Sequence, residues 1–524
     1  MKTIQQVFAA SVSAAQKQWL EEHRMYLGDL HNHCAISYGH GSLSKAIAFA
    51  QSQLDFFTVT GHFAWPDMED GSQPIPQRVV DYHKEGFAKL RGVWEEYLEA
   101  MRLSASGGIV PFVSYEFHSF KLGDYTIIRK DLYEGFPPDP EGIDTRLDEY
   151  LATNDPKKSG IICMPHHIGY KKGYRGINWD RFNETASPIV EIMSMHGASE
   201  SRYATPAYLH TMGPVCGENT MQGGLARGFR FGVVGSTDHH NASPGAYGSG
   251  RAGVWAKEKS QDGIWDGLLA KQTIAFTGDP IRIASFLEDR PIGSVVKATG
   301  KPMRFDSYIL APSALACAEL LVDNLVVKTF RPNPARSSSK RFNLSLGWGQ
   351  RDVSAHWKVT LRAEGAAIVD PVPRFKGEYV VDPLSVPTDE ALAVPSLRFD
   401  GVSISMSCNT SGNISATTDN TQGFGFGLET DGPYSIILHV EAEVAGETFM
   451  HDLLLQSDEL QHGPSVLYTH GFVSPALRLS EEIDLSECML EIHESLDLDS
   501  GSSLYVRSFS QSGDTAWSTP IWID

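Results

Sequence analysis

Short apolar runs alternate with longer amphipathic stretches through the first half of the chain. The runs cover residues 26–30, 56–60, 109–115, 160–164, 189–195, 231–235 and 253–256. The segments between them carry apolar residues at helical spacing, the pattern of βα units around a parallel sheet. Seven such strands predict a closed α/β barrel over residues 27–280. Ahead of it, Ile4, Val7, Phe8, Val12, Ala15 and Leu20 fall near helical spacing and predict one amphipathic helix within residues 1–26, packed on the barrel. Past residue 280 the pattern changes to period-two alternation, as in residues 304–310, 357–362 and 434–440, punctuated by Pro, Gly, Ser and Asn. Residues 281–524 are therefore expected to form a C-terminal all-β, sandwich-like domain with room for two subdomains. Residues 331–340 and a breaker-rich region near 383–396 are expected loops.

A chain of 524 residues is too long for one core, and about two to four domains are expected at this length. A net charge of −20 argues against duplex nucleic acid or an anionic membrane as partner, since both require clustered Lys and Arg. Cys34, Cys163, Cys216, Cys317, Cys408 and Cys488 are dispersed without a C-x-x-C pair, as in a reducing compartment. The Val7–Ala10 run is too short for a signal peptide, and no stretch has the length of a membrane span. The cytoplasm is the expected location. Nothing in the pattern sets an oligomeric state.

The candidate chemistry lies where the apolar runs end. His31 and His33 end the first, and their i, i+2 spacing puts both imidazoles on one face of a strand. His62 follows the second run, Glu116 the third, His166 and His167 the fourth, and His196 the fifth. The sixth closes with Asp238-His239-His240, which repeats the i, i+2 geometry. Any one of these alone reads more simply as a cap or a hydrogen-bonded core residue. Six successive strand ends carrying ligand-type residues read as one metal site, because βα loops converge at the C-terminal face of such a barrel. His23, His83, His210, His451 and His470 lie outside the pattern and are expected to be structural or exposed.

Together the stretches Asp29-Leu30-His31-Asn32-His33, Gly61-His62, Tyr115-Glu116, Met164-Pro165-His166 and Gly235–His240 resemble the polymerase and histidinol phosphatase (PHP) superfamily. Residues 195–200, 238–245, 273–282 and 516–522 resemble its DUF3604-like branch, a likeness that runs over nearly the whole chain. The resemblance implies a distorted (β/α)7 barrel holding two or three divalent metals. It assigns His31, His33, Glu116 and Asp238 to a first metal. Glu116 then bridges to a second, shared with His166 and His196, and His40, His62 and His240 hold a third. The chain departs from the family in three places. Gly61 replaces an Asp, Gly123-Asp124-Tyr125-Thr126 carries no ligand His, and His166-His167 replaces His-Pro. His118 is close to Glu116 in sequence but is expected to project from a loop. Either imidazole of the His166-His167 pair fits the ligand role; His166 is favoured by alignment, leaving His167 to substrate or to supporting a metal ligand.

Imidazoles with a few carboxylates suit Zn²⁺, Mn²⁺ or Fe²⁺ better than Mg²⁺ or Ca²⁺. A hydroxide shared between two such cations is a nucleophile near neutral pH. The expected function is a metal-dependent phosphoesterase of small or oligomeric phosphate esters, with Asp238, His167 and His239 as candidates for proton transfer. Lys171, Lys172, Arg175, Arg202 and Arg251 are the candidate phosphate-binding cations. Two other readings remain: a metallohydrolase of amides or lactones, and a carbohydrate-binding module with a structural metal site.

Overall fold

The computed structural model describes residues 3–70, 73–133, 135, 143–208, 213–348, 353–377, 394–411 and 421–524. The single helix expected within residues 1–26 is two: α1 (Ile4–Val7) and α2 (Ala14–Glu22). Thr3 with Gln6, and Ser13 with Gln16, each form a reciprocal cap that starts a new helix. Ile4, Phe8 and Leu20 join a core with Phe286 and Tyr308, and Gln16 donates to Asp306 at 2.7 Å. The N-terminus therefore packs largely on strands of the second half.

The seven apolar runs of the first half are strands, but they lie in three sheets. The first contains β1 (Arg24–Asp29), β2 (Phe56–Phe57), β4 (Val110–Pro111), β11 (Arg251–Ala256) and β12 (Thr273–Phe276). The second contains β3 (Thr60–Ala64), β5 (Val113–Phe117), β6 (Asp124–Arg129) and β7 (Ile161–His166). The third contains β8 (Ile189–Ser194), β9 (Gly197–Ala198) and β10 (Gly232–Gly235). Among the described residues no sheet closes on itself, so the hydrogen bonding does not form the single distorted (β/α)7 barrel that was expected. Runs 56–60 and 109–115 each break in the middle and pass from the first sheet to the second. β6 is an additional strand, antiparallel to both β5 and β7. The turn before it, with Gly123 at φ +96°, reverses the chain within a few residues, and so short a return enforces antiparallel pairing. Side-chain packing of β7 on β8 and of β10 on β12 brings the three sheets together.

The amphipathic helix α4 (Gln77–Ser104) covers β3, with Leu90, Trp94 and Tyr97 in the core and the Tyr97 hydroxyl donating to Val59 O at 2.6 Å. Among the described residues no helix is long and apolar enough to cross a membrane.

In the second half, two five- to six-stranded antiparallel sheets face each other between residues 339 and 479. Their shared core holds Phe342, Trp357, Phe424, Phe426 and Leu438. Residues 304–310, 357–362 and 435–440 lie in strands, Tyr434 just precedes its strand, and residues 331–338 are loop. The breaker-rich region near 383–396 falls mostly outside the described residues. Hydrogen bonding runs across the boundary expected near residue 280, because Thr515–Ser518 pairs with β12 and extends the first sheet with Ser503–Ser510 and Ile521–Ile523. Asp279, fully buried, receives two hydrogen bonds from the Arg374 guanidinium, at 2.8 and 2.7 Å, and one from Ser313 at 2.5 Å. This ion pair fastens the sandwich to the first half of the chain. Removing one partner of a buried pair strands the other charge. Asp279→Ala is expected to cost about 3–5 kcal/mol and Asp279→Asn clearly less, as read from the denaturant midpoint; equal midpoints for Ala and wild type would contradict this.

Candidate metal centre

β1 ends at Asp29, whose carboxylate is fully buried and accepts from His31 N at 3.1 Å, Thr237 N at 3.1 Å, Thr237 Oγ1 at 2.5 Å and Gly245 N at 2.8 Å. It ties the His31–His33 segment to the loop after β10. The two segments then pair through their backbones: Asp238 N to His31 O at 2.7 Å, His33 N to His239 O at 2.9 Å, and Ala242 N to His33 O at 3.0 Å. His40 N donates to His240 O at 2.7 Å. Asp238 adopts φ +50°, a left-handed conformation that this pairing holds in place.

The ring tautomers follow from these contacts. His33 Nδ1 is 2.9 Å from Thr60 O and His240 Nδ1 is 2.8 Å from Asp238 O. A carbonyl only accepts, so each Nδ1 carries a proton, and in the neutral ring each Nε2 keeps a lone pair. His31 Nδ1 lies 2.9 Å from Glu191 Oε2, a carboxylate–imidazole pair that orients the ring in the same way. His33 Nε2 thus faces His31 Nε2 at 3.1 Å, Asp238 Oδ1 at 3.1 Å and Glu116 Oε2 at 3.4 Å. Four such atoms repel one another unless a positive charge lies among them. Glu116 Oε2 is buried and accepts no hydrogen bond, and the same holds for Asp238 Oδ2. With metal–ligand bonds of about 2.0–2.2 Å, neighbouring ligands sit about 3.3–3.6 Å apart in a tetrahedron and about 2.8–3.1 Å in an octahedron. The observed separations fall in these ranges, so the residues fit a bound divalent ion.

The electrostatics agree. Burial lowers the affinity of His31 for a proton, yet Asp238 and Glu191 raise it well above the usual imidazole value, so the pocket calls for a cation there. Burial opposes ionisation of Glu116, but His118, His166 and His62 outweigh it and hold its carboxyl well below the usual range. Burial above all takes His166 down to about 4 and His240 to about 3, which favours the neutral ring that a ligand must present. Burial pushes Glu191 up to about 7 even with His31 beside it.

Of the residues singled out in the sequence, His31, His33, His62, Glu116, His166, His167, His196, Asp238 and His240 come together in overlapping groups. Glu116 Oε1 lies 2.9 Å from His166 Nε2, while Oε2 faces His31, His33 and His62 at 3.4–3.6 Å. Asp238 Oδ2 faces His196 at 3.0 Å and His167 at 3.4 Å. The His40 ring is buried beside this region but joins none of the convergent groups. His239 joins none of the convergent groups: its Nδ1 accepts from Asn241 N, and its other edge abuts Gly377 of the sandwich half.

The candidate phosphate-binding cations scatter. Arg251 is fully buried and donates to Gly245 O, Gly278 O and Gln53, which makes it a structural brace. Lys172 pairs with Asp180 at the surface, and Lys171 and Arg202 are exposed. Arg175 alone reaches the centre. His23 and His83 bond backbone carbonyls of their own helices, and His210 lies outside the described residues.

Sequence reasoning missed four residues. His118 lies in the loop just past β5, as expected, but is buried there with its Nδ1 3.0 Å from Glu116 Oε1. Asp124 starts β6 opposite His166. Asp29 carried no assigned role, and Glu191 was unnoticed although it is the sole charge in the apolar run Ile189–Met193. The Gly in place of Asp at residue 61 has a steric cause: a Cβ there would lie 2.3 Å from Leu90 of α4.

Glu191→Ala leaves the His31 Nδ1–H unpaired and frees the ring to change tautomer. It should weaken divalent-metal affinity about 10–100-fold, measured by competition with a chromophoric chelator. Glu191→Gln, whose amide oxygen still accepts, should recover most of the loss; unchanged affinity in the Ala variant would refute the pairing.

No protein-family model matches the chain. Over 189 residues it is 26% identical to an uncharacterized protein of Chlamydia trachomatis, covering 33% of this chain and 30% of that protein. A Chlamydia muridarum counterpart is 25% identical over 189 residues, with 33% and 30% covered. The chain thus spans less than a third of the length of these curated relatives. Among solved structures it is similar to a two-domain protein from Bacteroides vulgatus that contains a predicted PHP-like metal-dependent phosphoesterase. The TM-score is 0.31 at 12% identity, covering 82% of this chain and 96% of that one.

Proposed function

We propose that this protein is a metal-dependent hydrolase, and specifically a phosphoesterase acting on small or oligomeric phosphate esters with two or three Zn²⁺, Mn²⁺ or Fe²⁺ ions. The observation that carries the reading is Glu116, whose two buried oxygens face different sets of imidazoles: Oε1 toward His166 and His118 at 2.9 and 3.0 Å, Oε2 toward His31, His33 and His62. A carboxylate so placed can bridge neighbouring ions. Divalent ions held there would supply Lewis acidity and lower the pKa of water, the chemistry that phosphoryl transfer to water requires.

The protein's own groups have separable tasks. His31, His33, Asp238 and Glu116 would hold one ion; His166 and His196 would share Glu116 and Asp238 with a second; His62 and His240 stand nearest a third. Burial of these groups keeps bulk water from screening charge that develops on the substrate. His167, its proton affinity lowered by burial and by His166, faces Asp238 through Nε2 at 3.4 Å and has no hydrogen-bond partner at its buried Nδ1, so that nitrogen would keep a lone pair able to accept a hydrogen bond or a proton from a substrate drawn into the centre.

The test is a substrate panel. Protein stripped with a chelator and reloaded separately with Mn²⁺, Zn²⁺ and Fe²⁺ is assayed on phosphate monoesters and diesters beside lactones and amides. Phosphoesterase activity should vanish on stripping and return with metal, and the His33→Ala/Asp238→Ala double variant should fall at least about 100-fold. Activity confined to lactones or amides would point to the C–O or C–N hydrolase. Full activity in the double variant would remove the metal mechanism.

A further inference from the structure

Arg175 stands inside the centre and not at its rim. It occupies a loop after β7 at φ +68°, and its side chain is only 11% exposed. One guanidinium nitrogen is 2.6 Å from Asp124 Oδ2 and 3.8 Å from Glu116 Oε1, and it donates to His118 Nδ1. Those acceptors lie close to one another: His118 Nδ1 is 3.0 Å from Glu116 Oε1 and 3.3 Å from Asp124 Oδ2. Two carboxylates and an imidazole at such separations form a donor set of the kind that elsewhere in this centre fits a divalent ion. Here a guanidinium N–H points into it. The Trp65 ring backs the guanidinium at 5.0 Å, and the Tyr38 hydroxyl lies 2.9 Å from the far nitrogen of His118, so the position is fixed on several sides.

We infer that Arg175 is a built-in cation that closes the Glu116–His118–Asp124 donor set to metal and so limits the number of ions the centre takes. The inference rests on reading the centre as a metal site. A guanidinium never loses its proton in a protein, so its charge is permanent. It satisfies the carboxylates that an ion would otherwise neutralise, and it repels a further dication from the same point. The role also sets Arg175 apart from a phosphate anchor, because a substrate phosphate would have to break a buried ion pair with Asp124 to reach it.

Ion counting tests this. Full-length protein is saturated with Mn²⁺, freed of loose metal by gel filtration, and its bound ions are counted by mass spectrometry. Arg175→Ala should hold one more ion per chain than wild type. Arg175→Lys, which keeps the charge, should hold the wild-type number, and Arg175→Ala/Asp124→Asn should return to it. Equal, non-zero counts in wild type and Arg175→Ala overturn the inference and leave the metal centre standing. No ion in any of them overturns both. Should Arg175→Ala fail to fold, wild-type crystals grown with Mn²⁺ decide: an anomalous peak among Glu116, His118 and Asp124 overturns the inference, and guanidinium density there without a peak supports it.

Discussion

One buried carboxylate sets the geometry on which the centre depends. Asp29 takes its hydrogen bonds from His31, two residues past its own strand end, and from the loop more than two hundred positions later. A carboxylate with this many donors is stable in the interior; without them its burial would be prohibitive. The backbone pairing of residues 31–33 with 238–242 continues the same contact, and every imidazole at the first ion position inherits its direction from it. The strand end and the loop thus behave as one rigid frame, as a site that binds ions at defined separations requires.

The second half of the chain is part of that frame. Its strands extend the first sheet through β12. Tyr247 of the metal-bearing loop donates to Asp514 at 2.6 Å from its hydroxyl and to Phe375 O at 2.7 Å from its backbone. Glu200, four residues beyond His196, is bound by the Tyr505 hydroxyl at 2.5 Å and by Arg507. Gly377 of the sandwich half fits against His239, where any side chain would collide with the ring. These contacts brace two loops that carry candidate ligands, so the β-rich half supports the chemistry while contributing none of the convergent groups among the described residues.

The repeated placement of His, Glu and Asp at strand ends was legible in the chain because strand periodicity and ligand chemistry are local properties. His118, Asp124 and Glu191 were not, for a common reason. Each lies in an apolar or turn-like stretch whose direction in space depends on an antiparallel strand or on a neighbouring sheet. The reversal at Gly123 makes Asp124 the first residue of a strand paired opposite His166, and a backbone bond from His118 N to Ala64 O holds His118 beside Glu116. For the candidate cations, proximity in sequence does not say whether a side chain meets a carbonyl, as Arg251 does, a surface carboxylate, as Lys172 does, or solvent, as Arg202 does.

The sequence by itself determined which residue types can hold cations and that they recur at strand ends, since both follow from side-chain chemistry and the two-residue repeat of a strand. It also determined the change from alternating strands and helices to a β-rich second half. Only the tertiary structure decided how the strands divide among sheets, which imidazole nitrogen keeps its lone pair, and that a guanidinium fills one donor set. Those outcomes depend on hydrogen-bond partners contributed from distant positions, and burial makes each of them obligatory.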